Sequence, residues 1–575
     1  MTTAANVEYT APLVVLDEVG GALVAHRPDV RLVELPSDVV DLASVAEWAL
    51  AYGLGSAKLS HFGEDSGPLV VLTESATKHL GLPVEITDRK YLRLGDDHPA
   101  HKALGEAGWD LSKAGLSAWT LIYRGRVECR FAFVPWGAFD ENARWQGIAD
   151  NTDPAALAYV LGLYAERVIT PAGSTAATSL ALMTAVRPAT KLEFPGGKMR
   201  RVAVPGSLSK AMDPAPPEAP DEHPLAVDRT REQSRNPRHV VVCEALNWFR
   251  EPTEEEGKLA NVVGLDVNFA FGAGSNSVNV GLCPPVHTDG PRFDKALPGS
   301  WLCDFSGVTL RTRDLATKEW RPLPANFPSP FTLDGKPPTG PAWYPTPTVA
   351  YAAELGVDVS PIEAWLRPEY GRYFDLWYLR LQPAYMATLA DLGVTEGMGE
   401  EEFIEAMATI NQRDPEAAKL LQAIKATAKG GIGKMAERPQ GREKREGRNA
   451  PWGALKRVTW SPHARFTVIA SSNAGAHRKA VKTWNATGLT PLAVNADMWL
   501  YPSAFPTARA VVPRKADGSP LPGGWRLGPN PGYVKQEGVQ SMEWYLGRLA
   551  QNRADGKQNN PGRFLKGRDS FMDGE

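Results

Sequence analysis

The sequence predicts a multidomain protein of mixed α/β and α+β class. Three observations predict it. The chain has 575 residues, too many for one compact core, and about 150 residues per domain suggests three or four units. Short apolar runs alternate with stretches of helical periodicity along most of its length. A stretch rich in Pro and charge, 205–239, interrupts that alternation and reads as a linker or exposed excursion after residues 1–204.

Within 1–204 the strand-like runs are LVVLDEV (13–19), PLVVLTE (68–74) and RFAFVPW (130–136). The spacing predicts a helix over 154–168, PAALAYVLGLYAERV, whose Pro suits a first turn. A second, 174–186, opens on residues that cap helices. After the linker, order resumes with VVVCEALNWF (240–249) and VVGLDVNFAF (262–271), the latter a β-type run holding one acid. Pro-rich connections fill much of 284–347, and helical patterns dominate 348–435, PIEAWL (361–366) among them. A polar loop, 438–450, leads to a helical stretch beginning FTVIASSNAGAHRKAV and then to the strand-like PLAVNADMWLYPS. No internal repeat is present.

Hydrophobic residues make up 43% and charged residues 22%, the composition of a globular protein and not of a disordered one. Four cysteines, Cys129, Cys243, Cys283 and Cys303, lie far apart without a C-x-x-C pair, so neither a disulfide scaffold nor a zinc module is expected. The first residues lack a basic flank followed by an apolar run, and no stretch approaches the roughly 18 apolar residues of a membrane span. The expected location is the cytoplasm, in association with the nucleoid, and no membrane partner is expected.

The formal charge of −3 excludes a uniformly basic protein but hides a local excess. Between Lys419 and Lys482 stand 15 Lys and Arg against three acids, Glu437, Glu443 and Glu446. With Trp452, Trp460 and Trp484 beside it, this window offers phosphate neutralisation together with aromatic surfaces on which bases stack. The expected nucleic-acid contacts are Lys434, Arg438, Arg442, Lys444, Arg445, Arg448, Lys456, Arg457, Arg478 and Lys479.

Three segments carry the chemistry: LDVNFAFG (265–272), KATAKGGIGK (425–434) and VNADMWLY (494–501). Lys425 follows Asp266 by 159 residues, and Asp497 follows Lys425 by 72. Two carboxylates on adjacent strands can hold two divalent ions that stabilise the attacking and leaving oxygens of phosphoryl transfer, and Mg²⁺ suits such a donor set. A lysine on a facing helix neutralises charge on the transferred phosphate. Lys425 and Lys429 stand four residues apart and share a helix face. Phe271, five residues after the first acid, is placed to close against the sugar and exclude a 2′-hydroxyl.

In this order the segments resemble the palm and fingers of family B DNA polymerases, the protein-primed branch above all. Asp266 to Gly272 resembles their D-x-N-S-L-Y-P motif, Lys425 to Lys434 their K-x-x-x-N-S-x-Y-G-K motif, and Asn495-Ala496-Asp497 their Y-x-D-T-D-S motif, with Asp497 at the second aspartate. LGPNPGYVKQEG (527–538) is similar to the stretch that follows. Residues 32–575 resemble the telomere-associated protein (Tap) family of actinobacterial linear replicons, through VPWGAFD, YAERVITPAGSTA, LDVNFAFGAG, LPGSWLCDF, GPAWYPTPTVAYAAELG, IKATAKGGIGK and PGYVKQEG. Some members carry an N-terminal helix-turn-helix, which is not expected here before residue 32.

The resemblance implies a degenerate exonuclease-like domain (1–204), the linker (205–239), a first palm part (240–366, with a Pro-rich insertion at 284–347), fingers (367–437), a basic loop with the second palm part (438–513) and a thumb-like region (514–575). It implies binding of single-stranded telomeric DNA and a terminal protein, with a replicative DNA polymerase as a further partner. Asp266 and Asp497 would hold Mg²⁺ or Mn²⁺; Lys425, Lys429 and Phe271 would contact the dNTP substrate. The chain departs from the polymerase motifs at Lys429-Gly430, where they have Asn-Ser, at Ile432 and at Asn495. Restricted nucleotidyl transfer, or DNA binding by a catalytically silent adaptor, is therefore expected over processive synthesis. Leu163 stands where the last exonuclease motif needs Asp, so proofreading is not expected.

Other motifs are excluded. Met435 occupies the Ser/Thr position of a P-loop, and no third glycine follows Gly272-Ala273-Gly274 as a dinucleotide fold requires. His287, His463 and His477 show no metal-type spacing among themselves or with cysteines and read as structural residues or phosphate contacts.

Overall fold

The computed structural model describes residues 12–54, 59, 67–86, 92–112, 115–149, 153–193, 198–226, 236–439 and 452–565. The chain is a mixed α/β protein of two compact units. The first comprises Met1–Val204, Leu379–Leu392 and Asn411–Lys434; the second comprises Pro205–Tyr378, Gly393–Ile410 and Met435–Glu575. No described helix is long and apolar enough to cross a membrane.

The first unit is built on a seven-stranded sheet of β1 (Leu13–Val19), β2 (Ala22–His26), β3 (Leu32–Glu34), β4 (Leu69–Leu72), β5 (Asp110–Leu111), β6 (Trp119–Arg124) and β7 (Val127–Phe133), in the order β3-β2-β1-β4-β7-β6-β5. The central β1, β4 and β7 run parallel. Leu13–Leu16 and Leu69–Leu72 are fully buried, as continuous apolar runs must be when a sheet is covered on both faces. Helix Pro154–Arg167 opens on Asp153, whose carboxylate accepts from Ala155 N, and helix Thr175–Val186 on Ser174, which accepts from Ala177 N. Helix Pro415–Lys434 packs against Thr175–Val186 through glycines. A Cβ on Gly430 would lie 2.9–3.2 Å from Ala176 Cβ, Cα and N, and one on Gly431 would lie 2.0 Å from Ser179 Oγ. Helix Pro154–Arg167 also meets helix Pro415–Lys434, through a 2.6 Å hydrogen bond between the hydroxyls of Tyr164 and Thr427, and Arg167 pairs with Asp391 at 2.6 Å.

Two sheets organise the second unit. One contains β8 (Asn247–Phe249), β9 (Asn261–Val267), β14 (Ala493–Asn495), β15 (Met498–Ser503) and β16 (Val534–Ser541) in the order β8-β14-β15-β9-β16. The other contains β10 (Val286–Asp289), β11 (Gly299–Asp304), β12 (Pro341–Pro345) and β13 (Glu363–Leu366) in the order β10-β13-β11-β12. The 26-residue helix Pro462–Thr487 packs on both Ala270–Ser275 and Thr346–Glu354.

Three expectations change. PIEAWL does not make a helix: Glu363–Leu366 is a strand paired on both sides, with β10 and with β11, and that tertiary pairing overrides helix propensity. The 205–239 segment is not an exposed linker over its described part. Leu208, Ala215 and Ala219 are buried, and Glu218, 2% exposed, receives Arg367 at 2.8 and 2.6 Å, Ser300 Oγ at 2.7 Å and Ala215 N at 2.9 Å. Prolines deny this stretch regular structure without denying it a core, and its ionic partner lies 149 residues away. The expected fingers region, 367–437, is divided, with Leu379–Leu392 and Asn411–Lys434 in the first unit and Gly393–Ile410 in the second.

Candidate active site

The site begins with β9, NVVGLDV. Val262, Val263 and Leu265 are fully buried, which fixes the strand in the middle of its sheet, and Asp266 arrives next to its end. On one side Asp266 faces Met498 of β15; on the other it faces Lys535 of β16. The β14–β15 hairpin closes through the two residues Ala496 and Asp497, with Ala496 in the left-handed region at φ 57°. Val267 N donates to Asp497 O at 3.2 Å, so the second carboxylate sits in the turn beside the end of β9. Asp497 is exposed, whereas the Asp266 side chain is only 18% exposed.

The hairpin is held from behind. Asn560, fully buried, donates through Nδ2 to Val494 O at 2.8 Å, Asn247 Oδ1 at 2.9 Å and Trp248 O at 3.1 Å. Ala496 N donates to Leu246 O at 2.9 Å. The exit from β9 is fixed as tightly: Asn268 N donates to Tyr533 O, Asn268 Nδ2 to Gly528 O, and Gly532 N to Asn268 O, at 2.7–2.8 Å.

Lys535 Nζ contacts Asp266 Oδ2 and lies 2.6 Å from Glu537 Oε2. The register against β16 shifts between Gly264 and Leu265, opposite Glu537. Burial alone would lower the pKa of the Lys535 ammonium. Asp266 and Glu537 more than reverse that and hold it above the ordinary lysine value. The resemblance over 527–538 includes VKQE but implies no role for Lys535 or Glu537. Their i, i+2 spacing on a strand, which places both on one face, was the available signal.

The other candidate residues fall in several places. Phe271, on the short helix Ala270–Ser275, packs against a cluster of Val241, Cys243, Leu302, Trp343, Ile469 and Ala470. Gly272 fits beneath the Phe269 ring and Gly274 against Val468 O, so these glycines serve close packing. Lys425, Lys429 and Lys434 belong to the first unit, on helix Pro415–Lys434, with Lys429 exposed.

Arg438 and Lys456 are exposed, Arg438 lying 3.9 Å from Glu222. Arg457 pairs with Glu437 at 2.5 Å, and Arg478 forks onto Glu354 at 2.8 and 3.1 Å. Lys479 donates to Gly532 O and lies 5.9 Å from the Trp525 ring; burial, with Arg478 beside it, lowers its pKa. Arg442, Lys444, Arg445 and Arg448 lie outside the described residues.

The aromatic part of the basic window is corrected. Trp452 and Trp460 are 8% and 2% exposed and pack edge to face at 5.4 Å, with the His223 ring stacked on Trp460 at 5.5 Å. The Arg321 guanidinium covers Trp484 at 4.0 Å. The first two rings build core, and neither is a stacking platform.

Asp266 and Asp497 offer carboxylate oxygens, the hard donors that Mg²⁺ takes, and Lys535 already neutralises part of the charge at Asp266. A divalent ion bound there would polarise a phosphate and the oxygen attacking it.

A family model described as a domain of unknown function (DUF8841) matches residues 14–174. No curated protein matches the chain. Among solved structures the chain is similar to phi29 DNA polymerase complexed with primer-template DNA and incoming nucleotide substrates, at TM-score 0.40 and 10% identity over 92% of this chain and 84% of that one. It is also similar to phi29 DNA polymerase complexed with single-stranded DNA, at TM-score 0.34 and 12% identity over 90% of this chain and 81% of that one.

Proposed function

We propose that this chain is a telomere-end DNA-binding protein with a polymerase-like nucleotidyl-transfer site built on Asp266 and Asp497. The observation that carries the reading is the delivery of these two carboxylates to adjoining points of β9 and the β14–β15 turn, tied by the Val267 N–Asp497 O hydrogen bond. The sequence resemblance to the Tap family supplies the partners: single-stranded telomeric DNA and a terminal protein.

In the reaction, a terminal-protein hydroxyl oxygen bonds to the α-phosphorus of a dNTP. The bond from that phosphorus to the bridging oxygen breaks, pyrophosphate leaves, and the hydroxyl proton passes to solvent. Asp266 and Asp497 would hold Mg²⁺, which would supply charge stabilisation for the transfer, while Lys535 fixes the Asp266 carboxylate and Asn268 with Asn560 keeps strand end and turn in place.

The contact of Lys535 with Asp266 favours a second reading. A carboxylate that already has an internal cation is neutralised without metal, as suits an adaptor that retains the fold for DNA grip and recruitment. Labelled dNMP transfer to the terminal protein, with Mg²⁺ and a telomeric single strand, separates the two. Label transferred by wild type and lost in Asp497→Asn at equal DNA affinity supports the transferase. No label from either protein, with DNA binding intact, supports the adaptor.

A further inference from the structure

His287, Asp289 and Glu363 are brought together although nothing in their sequence spacing suggests it. His287 and Asp289 stand two residues apart on β10 and so share a face. β13 runs antiparallel beside them with Glu363 directly opposite Asp289 and Trp365 opposite His287. The alternate residues pair as Val286 with Leu366 and Thr288 with Ala364, and the side chains of His287 and Asp289 are 36% and 91% exposed.

The cluster is ordered rather than incidental. The His287 ring lies against Trp365 at 4.8 Å between centroids, which fixes its plane, and its Nε2 is 2.6 Å from Glu363 Oε2. Asp289 Oδ1 is 4.0 Å from the same nitrogen. One ligand atom from each residue lies within 4.8 Å of the other two, and this is the one such group of three among the described residues. Asp289 is 91% exposed, so its carboxylate can close the remaining gap by side-chain rotation alone.

We propose that His287, Asp289 and Glu363 form a binding site for a divalent transition-metal ion, with Zn²⁺ as the representative species. One imidazole nitrogen and two carboxylate oxygens on a rigid ladder give three protein ligands at about 2.0–2.2 Å, and water completes the shell. The imidazole selects for Zn²⁺ over Mg²⁺, whose preferred ligands are oxygens throughout. The ion cross-links β10, which among the described residues is an edge strand of its sheet, to β13. It binds the folded state and not the unfolded one and so raises stability by mass action. The site is separate in residues and in metal preference from the Asp266–Asp497 pair.

The test is calorimetric titration of chelator-stripped full-length protein with Zn²⁺ in the presence of excess Mg²⁺, beside His287→Gln, Glu363→Gln and Asp289→Asn. Wild type should take up one equivalent with micromolar affinity and melt at a higher temperature with Zn²⁺ than without. His287→Gln and Glu363→Gln should each weaken binding about tenfold or more, a loss that even outer-shell changes produce at metal sites. Asp289→Asn changes a solvent-facing side chain that the fold does not need, and it should weaken binding while leaving the metal-free melting temperature unchanged. Absence of a saturable equivalent in wild type, or an equivalent that persists at the same affinity in all three variants, overturns the proposal.

Discussion

Lys535 Nζ is held between the carboxylates of Asp266 and Glu537, with Asp266 on the neighbouring strand and Glu537 two residues along its own. All three side chains are at most 18% exposed, so Lys535 compensates two largely buried acids. Lys535→Met strands two acids in a nearly closed site and should cost about 3–5 kcal/mol. Urea unfolding at pH 7 measures it as a lower midpoint with unchanged slope. Because the folded pKa of Lys535 is raised, its stabilisation is complete below the ordinary lysine value and is lost only as pH rises through the folded value. The wild-type deficit from this group should therefore appear only in strongly alkaline buffer, and Lys535→Met should abolish that alkaline component.

Acid should act through a different cluster. Burial would raise the Glu218 carboxyl, but the Arg367 guanidinium outweighs it and brings the pKa to about 2. Burial lowers the His463 imidazole to about 3, helped by Arg367. Both are depressed, so their stabilisation is present above the unfolded values of 6.5 for His463 and 4.5 for Glu218 and is lost as pH falls through the folded ones. Stability should decline first between pH 6.5 and 3, then more steeply between 4.5 and 2. His463→Gln should flatten the first part of that profile, and Glu218→Gln the second.

The elements that were legible in the sequence are those whose signal is local. The buried runs of β1 and β4, the capped helices Pro154–Arg167 and Thr175–Val186, and the acid-bearing β9 all declare themselves within a dozen residues. The missing information was long-range. Glu218 is anchored by Arg367, and Asp266 meets Lys535 across 269 residues of chain. Gly430 and Gly431 read as a diverged polymerase motif, yet the space beside them is filled by Ala176 and Ser179, whose proximity no local pattern announces. Motif order points to Asp266 and Asp497, and the structure places them near the end of β9 and in the β14–β15 turn that hydrogen-bonds to it. Trp452 and Trp460, which composition alone offers as stacking surfaces, are buried instead.

That difference gives Trp460 a testable role. Its ring is 2% exposed, packs on Trp452 and His223, and donates from Nε1 to Glu437 O at 3.0 Å. Trp460→Ala should cost about 3–5 kcal/mol of stability through cavity formation and the lost hydrogen bond. Single-stranded DNA affinity of the remaining folded protein should be unchanged. Thermal melting and fluorescence anisotropy on the same samples check the two halves. A large affinity loss at unchanged stability would restore the stacking role.

DNA binding should draw on the basic side chains unequally. Each phosphate neutralised on a single strand contributes about 0.7 to the slope of log affinity against log salt. Arg438 and Lys456 are exposed, so Arg438→Gln and Lys456→Gln should each lower affinity and reduce the slope by about that amount. Arg478 is already forked onto Glu354, so Arg478→Gln removes a largely compensated charge and should reduce the slope by less. Lys479 is spent on Gly532 O, in the loop that also holds Asn268. Lys479→Gln should lower the melting temperature and leave the slope as it is. Equal slope changes at all four positions would show that the ion pairs open on binding, and a flat salt dependence in wild type would remove the electrostatic basis of the interface.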